Sequence, residues 1–374
     1  MRILVYPHDL DMGGSQTNAI ELAAAVTALG HECIVFGQRG TLCDRIEQLG
    51  LEFVEAPAPG RRPSRRIARA LRALAIERDI DVIHGYEWPP ALEAAIAANP
   101  LPNVAVVATV MSMAVAPFLP TWMPLVVGTQ QIAAVEQKRG RRAVTLIEPP
   151  VDLAHNVPAP TVAVDEFRAR WGLDERPVVA CVSRLVPDLK AEGILAAIRL
   201  SGELADTAPF QLLVVGDGRA RAEMEAAAAA AEARAGRRTV TFTGELADPR
   251  TAYSAADVML AMGGSALRSL AFSKPLVVQG EGGFFKTLSP ETLETFLWQG
   301  WYGIGNNSAD GVERLKEELV PLLVDRELRA SLGSFGREVV EQFSLARAAT
   351  RQLTVYRDAV EARGEQKNRG GAAL

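Results

Sequence analysis

Short runs that are apolar on both faces alternate along this chain with longer Ala-, Leu- and Arg-rich segments of helical period. The first set is RILVYP, ECIVFGQ, LEFVEAP, DVIHGYE, AVVATVM, LVVGTQ and VTLIEPP. The second is VVACVSR, QLLVVGDG, TVTFTG, VMLAMGG and PLVVQGE. Strands without an alternating polar face, spaced by helices, belong to parallel sheets covered on both sides. Two such sets predict two Rossmann-like α/β domains. The break falls in PPVDLAHNVPAPTVAVDEF, residues 149–167, which is proline-rich and aperiodic. The expected domains are therefore 1–157 and 166–342, followed by a long helix over 343–363. The tail 364–374, GEQKNRGGAAL, has a composition that favours disorder. EMEAAAAAAEARAGRR is a helix by propensity alone and carries no chemistry.

Composition adds limits. A chain of 374 residues exceeds one ordinary core, and 48% hydrophobic with 23% charged residues describes a globular protein. The net charge of −5 speaks against a nucleic-acid partner. Cys33, Cys43 and Cys181 have neither paired nor metal-type spacing and read as reduced thiols, mostly in strand-like runs. MRILVYP opens directly into a strand, and no run reaches the roughly 18 apolar residues of a spanning helix. The expectation is a cytoplasmic protein, in which the Asn306-Asn307-Ser308 sequon means nothing.

Open α/β sheets bind ligands beyond the carboxyl ends of their strands, so the strand-to-helix turns are the candidate sites. In PHDLDMGGSQTNAIELAAAVTALG, Gly13 and Gly14 permit close backbone approach and Ser15 can cap the following helix. Tight-turn geometry explains the same glycines equally well. In CVSRLVPDLKAEG, Arg184 and Lys190 lie past a strand end, where two cations clamp a diphosphate or simply face solvent. Gly216 and Gly218 in VVGDGRAR make a tight turn without a third glycine, a poor dinucleotide fingerprint. In GGSALRSLAFSKP, the backbone amides of Gly263, Gly264, Ser265 and Ala266 open a short helix, a ready anion site. Leu267, Leu270 and Ala271 form its buried stripe, which leaves Arg268 on another face near Gly264 and Ser265.

The order of these motifs resembles the retaining family-4 glycosyltransferases of GT-B fold over nearly the whole chain. DMGGSQ resembles their N-terminal Gly-Gly loop, RLVPDLK their Arg-Leu…Lys segment and VGDGRAR their Gly-Asp-Gly turn. FTGEL, AFSKP and FSLARAA…VY resemble three further family motifs, the last a closing helix that returns to the N-terminal domain. The resemblance implies two Rossmann-like domains facing a central cleft, an N-terminal acceptor domain and a C-terminal nucleotide-sugar donor domain. It implies that Arg184 and Lys190 hold the donor diphosphate and that amides 263–266 support its distal phosphate. It places Gly244, Glu245 and Leu246 beside the nucleobase, Gly216 in the donor turn, and Gly13–Ser15 at the sugar and acceptor. Transfer of this type needs neither metal nor other cofactor, because cations and helix termini neutralise the leaving diphosphate.

Three departures stand out. Two glutamates, with seven residues between them in the family, are Leu260 and Arg268 here, and a usual glycine is Ser273. The histidine expected after AVVATV is Met111, and His84 in DVIHGYEW reads as structural. Arg268 has three readings: an ion-paired arginine, with Glu281 or Asp217 as partner, in a chain that has lost donor binding; a donor-phosphate ligand; or a selector for an extra negative group. An unpaired cation in a closed cleft is costly, so it requires an anionic partner, whether protein or ligand.

Other segments carry weaker signals. MSMAVAPFLPTWMP (111–124) reads as core before acceptor pocket. GRRPSRRIARALRALAIERD (60–79) puts Arg62, Arg65, Arg66, Arg69 and Arg72 opposite an apolar stripe, a solvated face before a membrane-docking one. FLWQGWYGIG (296–305) is expected to pack beside the donor site. The resulting expectation is sugar transfer from a nucleotide sugar to a small-molecule acceptor, in specialised-metabolite assembly. A degenerate GT-B protein that binds a nucleotide sugar or a partner subunit is one alternative, and a transferase acting on lipid at a membrane surface is another. A sugar-nucleotide epimerase or phosphorylase of similar fold would need a base or a lysine-bound cofactor that the sequence does not offer.

Overall fold

The computed structural model describes residues 1–187 and 189–371, with side chains as far as Glu365. The chain divides into two compact units, Met1–Pro150 with the C-terminal stretch from Leu345, and Val151–Ser344.

The first unit begins β1 (Arg2–Tyr6), α1 (Gly14–Ala28), β2 (Glu32–Gly37), α2 (Cys43–Gln48) and β3 (Glu52–Glu55). It continues α3 (Arg65–Glu77), β4 (Val82–Tyr86), α4 (Trp88–Ala98), β5 (Ala105–Val110), β6 (Leu125–Val127), α5 (Gln130–Lys138) and β7 (Val144–Leu146). All seven apolar runs of the first set are strands, in one parallel sheet of order β3-β2-β1-β4-β5-β6-β7. The order reverses direction between β1 and β4, so the loops after these two strands flank the crevice in which an open sheet takes its ligand.

The second unit contains α6 (Thr161–Trp171), β8 (Val178–Val182), α7 (Ala191–Glu203), β9 (Gln211–Val215), α8 (Arg221–Ala235) and β10 (Val240–Gly244). Then follow α9 (Arg250–Ala255), β11 (Val258–Ala261), α10 (Gly264–Leu270), β12 (Leu276–Gln279), β13 (Phe285–Thr287) and α11 (Leu293–Gln299). Helices α12 (Gly311–Val324) and α13 (Arg326–Val340) complete it. Its sheet runs β10-β9-β8-β11-β12-β13 and reverses between β8 and β11. The edge strand β13 is antiparallel to β12 and has no counterpart among the sequence-predicted strands, because FKT is too short and too polar to register as one.

Helix α14 (Leu345–Gly371) returns to the first unit. Ala348, Ala349, Leu353, Val355, Tyr356 and Ala359 are buried with Ile3, Val5, Val82 and Val107 of its sheet. Two sequence-drawn limits shift. Val151 donates its amide to Phe343 O at 2.8 Å, so residues 151–157 belong to the second unit rather than the first. Phe343 is buried in the second unit's core, so the returning segment starts at Leu345. Residues 364–371, expected to be disordered, continue α14 as helix, and 372–374 lie outside the described residues.

Candidate functional site

In the second unit, β8 ends at Val182 and the chain turns through Arg184 and Lys190 before α7. Arg184 is exposed and Lys190 half-buried. Burial lowers the Lys190 pKa, and the nearby Arg184 charge lowers it further. Two cations are therefore held close together at the sheet's switch point, and among the described residues neither forms an ion pair. Such a pair is stabilised by an anion that bridges it.

Across the switch point, β11 leads into α10, whose N-cap Gly263 sits at φ 58°. The Gly263 amide donates to Trp301 O at 2.6 Å, and the Ala266 amide to Gly263 O at 3.1 Å. Of the four amides expected to meet an anion, these two are committed internally. Among the described residues, the Gly264 and Ser265 N–H groups at the helix start have no acceptor. The 296–305 segment does lie beside this turn: Phe296 and Trp301 stack in the core at 5.5 Å, and Trp301 supplies the carbonyl that fixes Gly263. Glu281 N donates to Gly303 O, and the Glu281 carboxylate accepts from Tyr302. Glu192 of α7 accepts from the Gly282 and Gly283 amides at 3.2 and 2.6 Å.

The Arg268 guanidinium lies near the hydroxyl of Tyr253 on α9, whose buried ring stacks at 5.1 Å on Phe272. Burial raises the Tyr253 pKa, and the guanidinium opposes that rise. Glu281 and Asp217, the carboxylates expected near Arg268, engage Tyr302 and Arg221.

The Gly-Asp-Gly turn is a packing device. Gly216 lies at φ 131° and Gly218 at φ 154°, and a Cβ on either would run into the carbonyls of Ser183 or Leu185. Leu185 N and O bond Asp217 O and Ala220 N, which clamps this turn onto the Arg184 loop. Gly216 thus shapes the loop that carries Arg184. Gly244 pairs with Gly216, Glu245 is exposed and Leu246 packs partly on the core.

In the first unit, Gly13 rather than Ser15 is the N-cap of α1. Ser15 Oγ instead reaches the Glu87 carboxylate at 3.4 Å. A Cβ on Gly14 would meet nothing within 4 Å, so packing does not demand glycine there. Glu87, which the sequence reading passed over, is the N-cap of α4 at φ 66°, and its carboxylate also accepts from Met111 N at 2.9 Å and Ser112 Oγ at 2.7 Å. Close packing of α4 on β4 places it there: a Cβ on Gly85 would lie 2.6 Å from Ala91 N. Across the switch point, His8 stands at φ 79° with Nδ1 2.6 Å from Asp9. A positive φ at Glu87 and at His8 is the signal that pattern reading lacks.

The 111–124 segment is core in part only. Val115, Leu119 and Met123 are buried, whereas Met113, Phe118 and Trp122 are 53%, 58% and 62% exposed. Arg141, itself buried on Glu136, holds it through the carbonyls of Leu119, Pro120 and Met123.

Residues 12–180 match the model of Glycosyltransferase Family 4, and residues 176–298 that of Glycosyl transferases group 1. The chain belongs to the family-4 glycosyltransferases of GT-B fold. Among curated relatives of this family, the 2-deoxystreptamine glucosyltransferase of Streptomyces kanamyceticus is 32% identical over 61% of this chain and 58% of its own length. A GDP-mannose-dependent monoacylated alpha-(1-6)-phosphatidylinositol monomannoside mannosyltransferase of Corynebacterium glutamicum is 28% identical over 51% of the chain. The matched region spans about half the length of these relatives. In fold, a glycosyltransferase from Rickettsia africae ESF-5 superposes with a TM-score of 0.76 at 16% identity, covering 96% of this chain and 98% of that one. HepE of Anabaena, solved in complex with UDP and glucose, gives 0.72 at 15% identity, covering 96% and 100%.

Within this glycosyltransferase fold, Leu260 is buried in the core, so no side chain of that position reaches a ligand. The arginine-rich segment is a solvated face in part: Arg65, Arg66 and Arg69 are exposed, while Arg62 and Arg72 are engaged by α4. Arg62 precedes α3 and pairs with buried Glu93 at 2.8 Å, while Arg72 donates to the α4 carbonyls of Ile96 and Ala97. His84 is structural, as expected: fully buried, with Tyr356 and Thr109 hydroxyls each 2.7 Å from a ring nitrogen. Cys33 and Cys181 are free, buried thiols with pKa values raised by burial to about 11 and about 12. Cys43 is free and half-buried on α2. No described helix is long and apolar enough to cross a membrane.

Proposed function

We propose that the protein transfers a sugar from a nucleoside-diphosphate sugar to a small polyhydroxylated acceptor of the aminocyclitol kind, with retention at the anomeric carbon and without a metal. The observation that carries this reading is the Arg184–Lys190 cation pair at the β8–β11 switch point, faced by the α10 start. Family membership, the Streptomyces relative and the UDP bound to HepE support it.

In this reading Arg184 and Lys190 neutralise the diphosphate as its bond to the anomeric carbon breaks, with the Gly264 and Ser265 amides supporting the distal phosphate. The acceptor oxygen bonds to that carbon, and the departing phosphate oxygen takes its proton. Gly244 to Leu246 border the nucleobase, and the Gly13–Ser15 loop faces acceptor and sugar.

Titration calorimetry with UDP, GDP, dTDP and ADP tests the reading. One nucleotide binds at micromolar Kd, and Arg184→Ala and Lys190→Met each weaken it at least about tenfold, the scale of a lost charge-assisted hydrogen bond. A second reading, a degenerate protein that binds but does not turn over, draws on Arg268, an arginine where the family has a glutamate. Nucleotide binding without transfer to any acceptor supports it. Absence of nucleotide binding overturns both.

A further inference from the structure

We propose that Glu87 selects the acceptor by its charge, taking a protonated amine on the acceptor ring. This rests on the transferase reading and names the feature of the acceptor that the first unit recognises.

Glu87 sits where the sheet order reverses between β1 and β4, at the carboxyl end of β4. It is half-buried, and its three hydrogen-bond donors are all neutral: Ser15 Oγ, Met111 N and Ser112 Oγ. Among the described residues no lysine or arginine forms an ion pair with it, in contrast to two buried carboxylates of the same unit. Glu93 has Arg62, and Glu136 has Arg139 and Arg141. Neutral donors aim a carboxylate without pairing its charge, so an incoming ammonium gains a charge-assisted bond that a hydroxyl does not match.

The next residue supplies the second half of the recognition. Trp88 and Phe118 meet edge to face at 5.3 Å, and they are 38% and 58% exposed. The chain segment that carries Met111 and Ser112 onto the carboxylate also carries Phe118 onto Trp88, so carboxylate and aromatic faces form one surface. Indole and phenyl faces attract an organic cation and cover the apolar face of a saturated ring. A glycine at position 87 would remove the backbone strain that φ 66° imposes on a residue with a side chain. The turn carries a carboxylate despite that cost.

The test uses the full-length protein with 2-deoxystreptamine and its N,N′-diacetylated form as probes, each titrated with the tightest-binding nucleotide present. Wild type is expected to bind the diamine at least about tenfold more tightly than the diacetyl compound. Glu87→Gln keeps a carbonyl oxygen for Ser15 and Met111, and should abolish that preference while nucleotide affinity and Tm stay unchanged. Glu87→Asp keeps the charge and should keep the preference. Equal binding of the two probes by wild type overturns the proposal, as does a Gln variant that still prefers the diamine. A variant that loses both probes together with Tm shows a loop staple instead of a specificity residue, and also overturns it. Failure of the transferase reading is separate: no nucleotide then binds even to wild type.

Discussion

His84, Lys190 and Arg268 show three ways in which a charged or chargeable side chain is handled. His84 is buried neutral between two hydroxyls, and burial pushes its pKa from 6.5 to about 3. The unfolded chain therefore takes up a proton that the folded one refuses. The stabilisation from His84 is complete above pH 6.5 and is lost as pH falls toward 3, at roughly a kcal/mol for each pH unit. Urea unfolding between pH 7 and 4 should show this loss in wild type and a flatter profile in His84→Gln. At Lys190 the shift has a different use. Burial and Arg184 disfavour its ammonium, and a bound diphosphate restores it, so nucleotide binding should draw a proton from solution at alkaline pH. Affinity should then fall with rising pH earlier than an ordinary lysine dictates, and calorimetry in buffers of different ionisation enthalpy reads the uptake. Arg268 lies near a buried hydroxyl, whose pKa it lowers. Arg268→Ala should lower the Tm of the second unit, with nucleotide affinity unchanged. A tenfold weaker nucleotide with unchanged Tm would instead make Arg268 a donor ligand.

Among the elements, the turns decide the chemistry while helices and strands supply the frame. The β9–α8 turn is built so that Gly216 and Gly218 carry the Arg184 loop on their bare backbone. Gly216→Ala puts a methyl against Ser183 O at φ 131°, and should cost roughly 2–3 kcal/mol of unit stability. Because the shifted carbonyl immediately precedes Arg184, nucleotide affinity should fall as well, a double effect that thermal melts with and without nucleotide resolve. The segment between β5 and β6 works similarly. Arg141 anchors one end through three carbonyls and Glu87 the other, so Met113, Phe118 and Trp122 stand exposed on an ordered scaffold. Apolar composition alone could not separate those three from buried Val115, Leu119 and Met123. The basic stretch before and within α3 divides in the same way, since Arg62 and Arg72 are consumed by α4 while Arg65, Arg66 and Arg69 stay exposed.

At the scale of the whole chain, the first unit is discontinuous. Its core closes only when α14 lays Leu353, Tyr356 and Ala349 against the sheet that begins at Arg2, and Tyr356 completes the His84 site. A chain ending at Ser344 should therefore lose the first unit's unfolding transition in calorimetry. Each large side chain removed from that core withdraws on the order of 1.5–3 kcal/mol. The second unit, whose segment from Val151 to Ser344 is continuous, should keep its own transition.

The sequence by itself determined the two sheets, the place of the break and the family, because unalternating apolar runs and glycine-bearing turns are local patterns that need no partner to be read. It placed Arg184 and Lys190 past one strand end and ahead of the next helix, where β8 ends at Val182 and α7 starts at Ala191. Only the tertiary structure decided what each amide and charge is spent on. Gly263 and Ala266 lose their N–H groups to Trp301 and to Gly263 itself, and Arg268 finds a tyrosine from another helix. Glu87, hidden in an unremarkable YEW, gains its place because strands far apart in the chain end side by side at the reversal of the sheet. Hydrogen-bond partners are chosen by proximity in space, and proximity across a sheet is what a linear pattern does not contain.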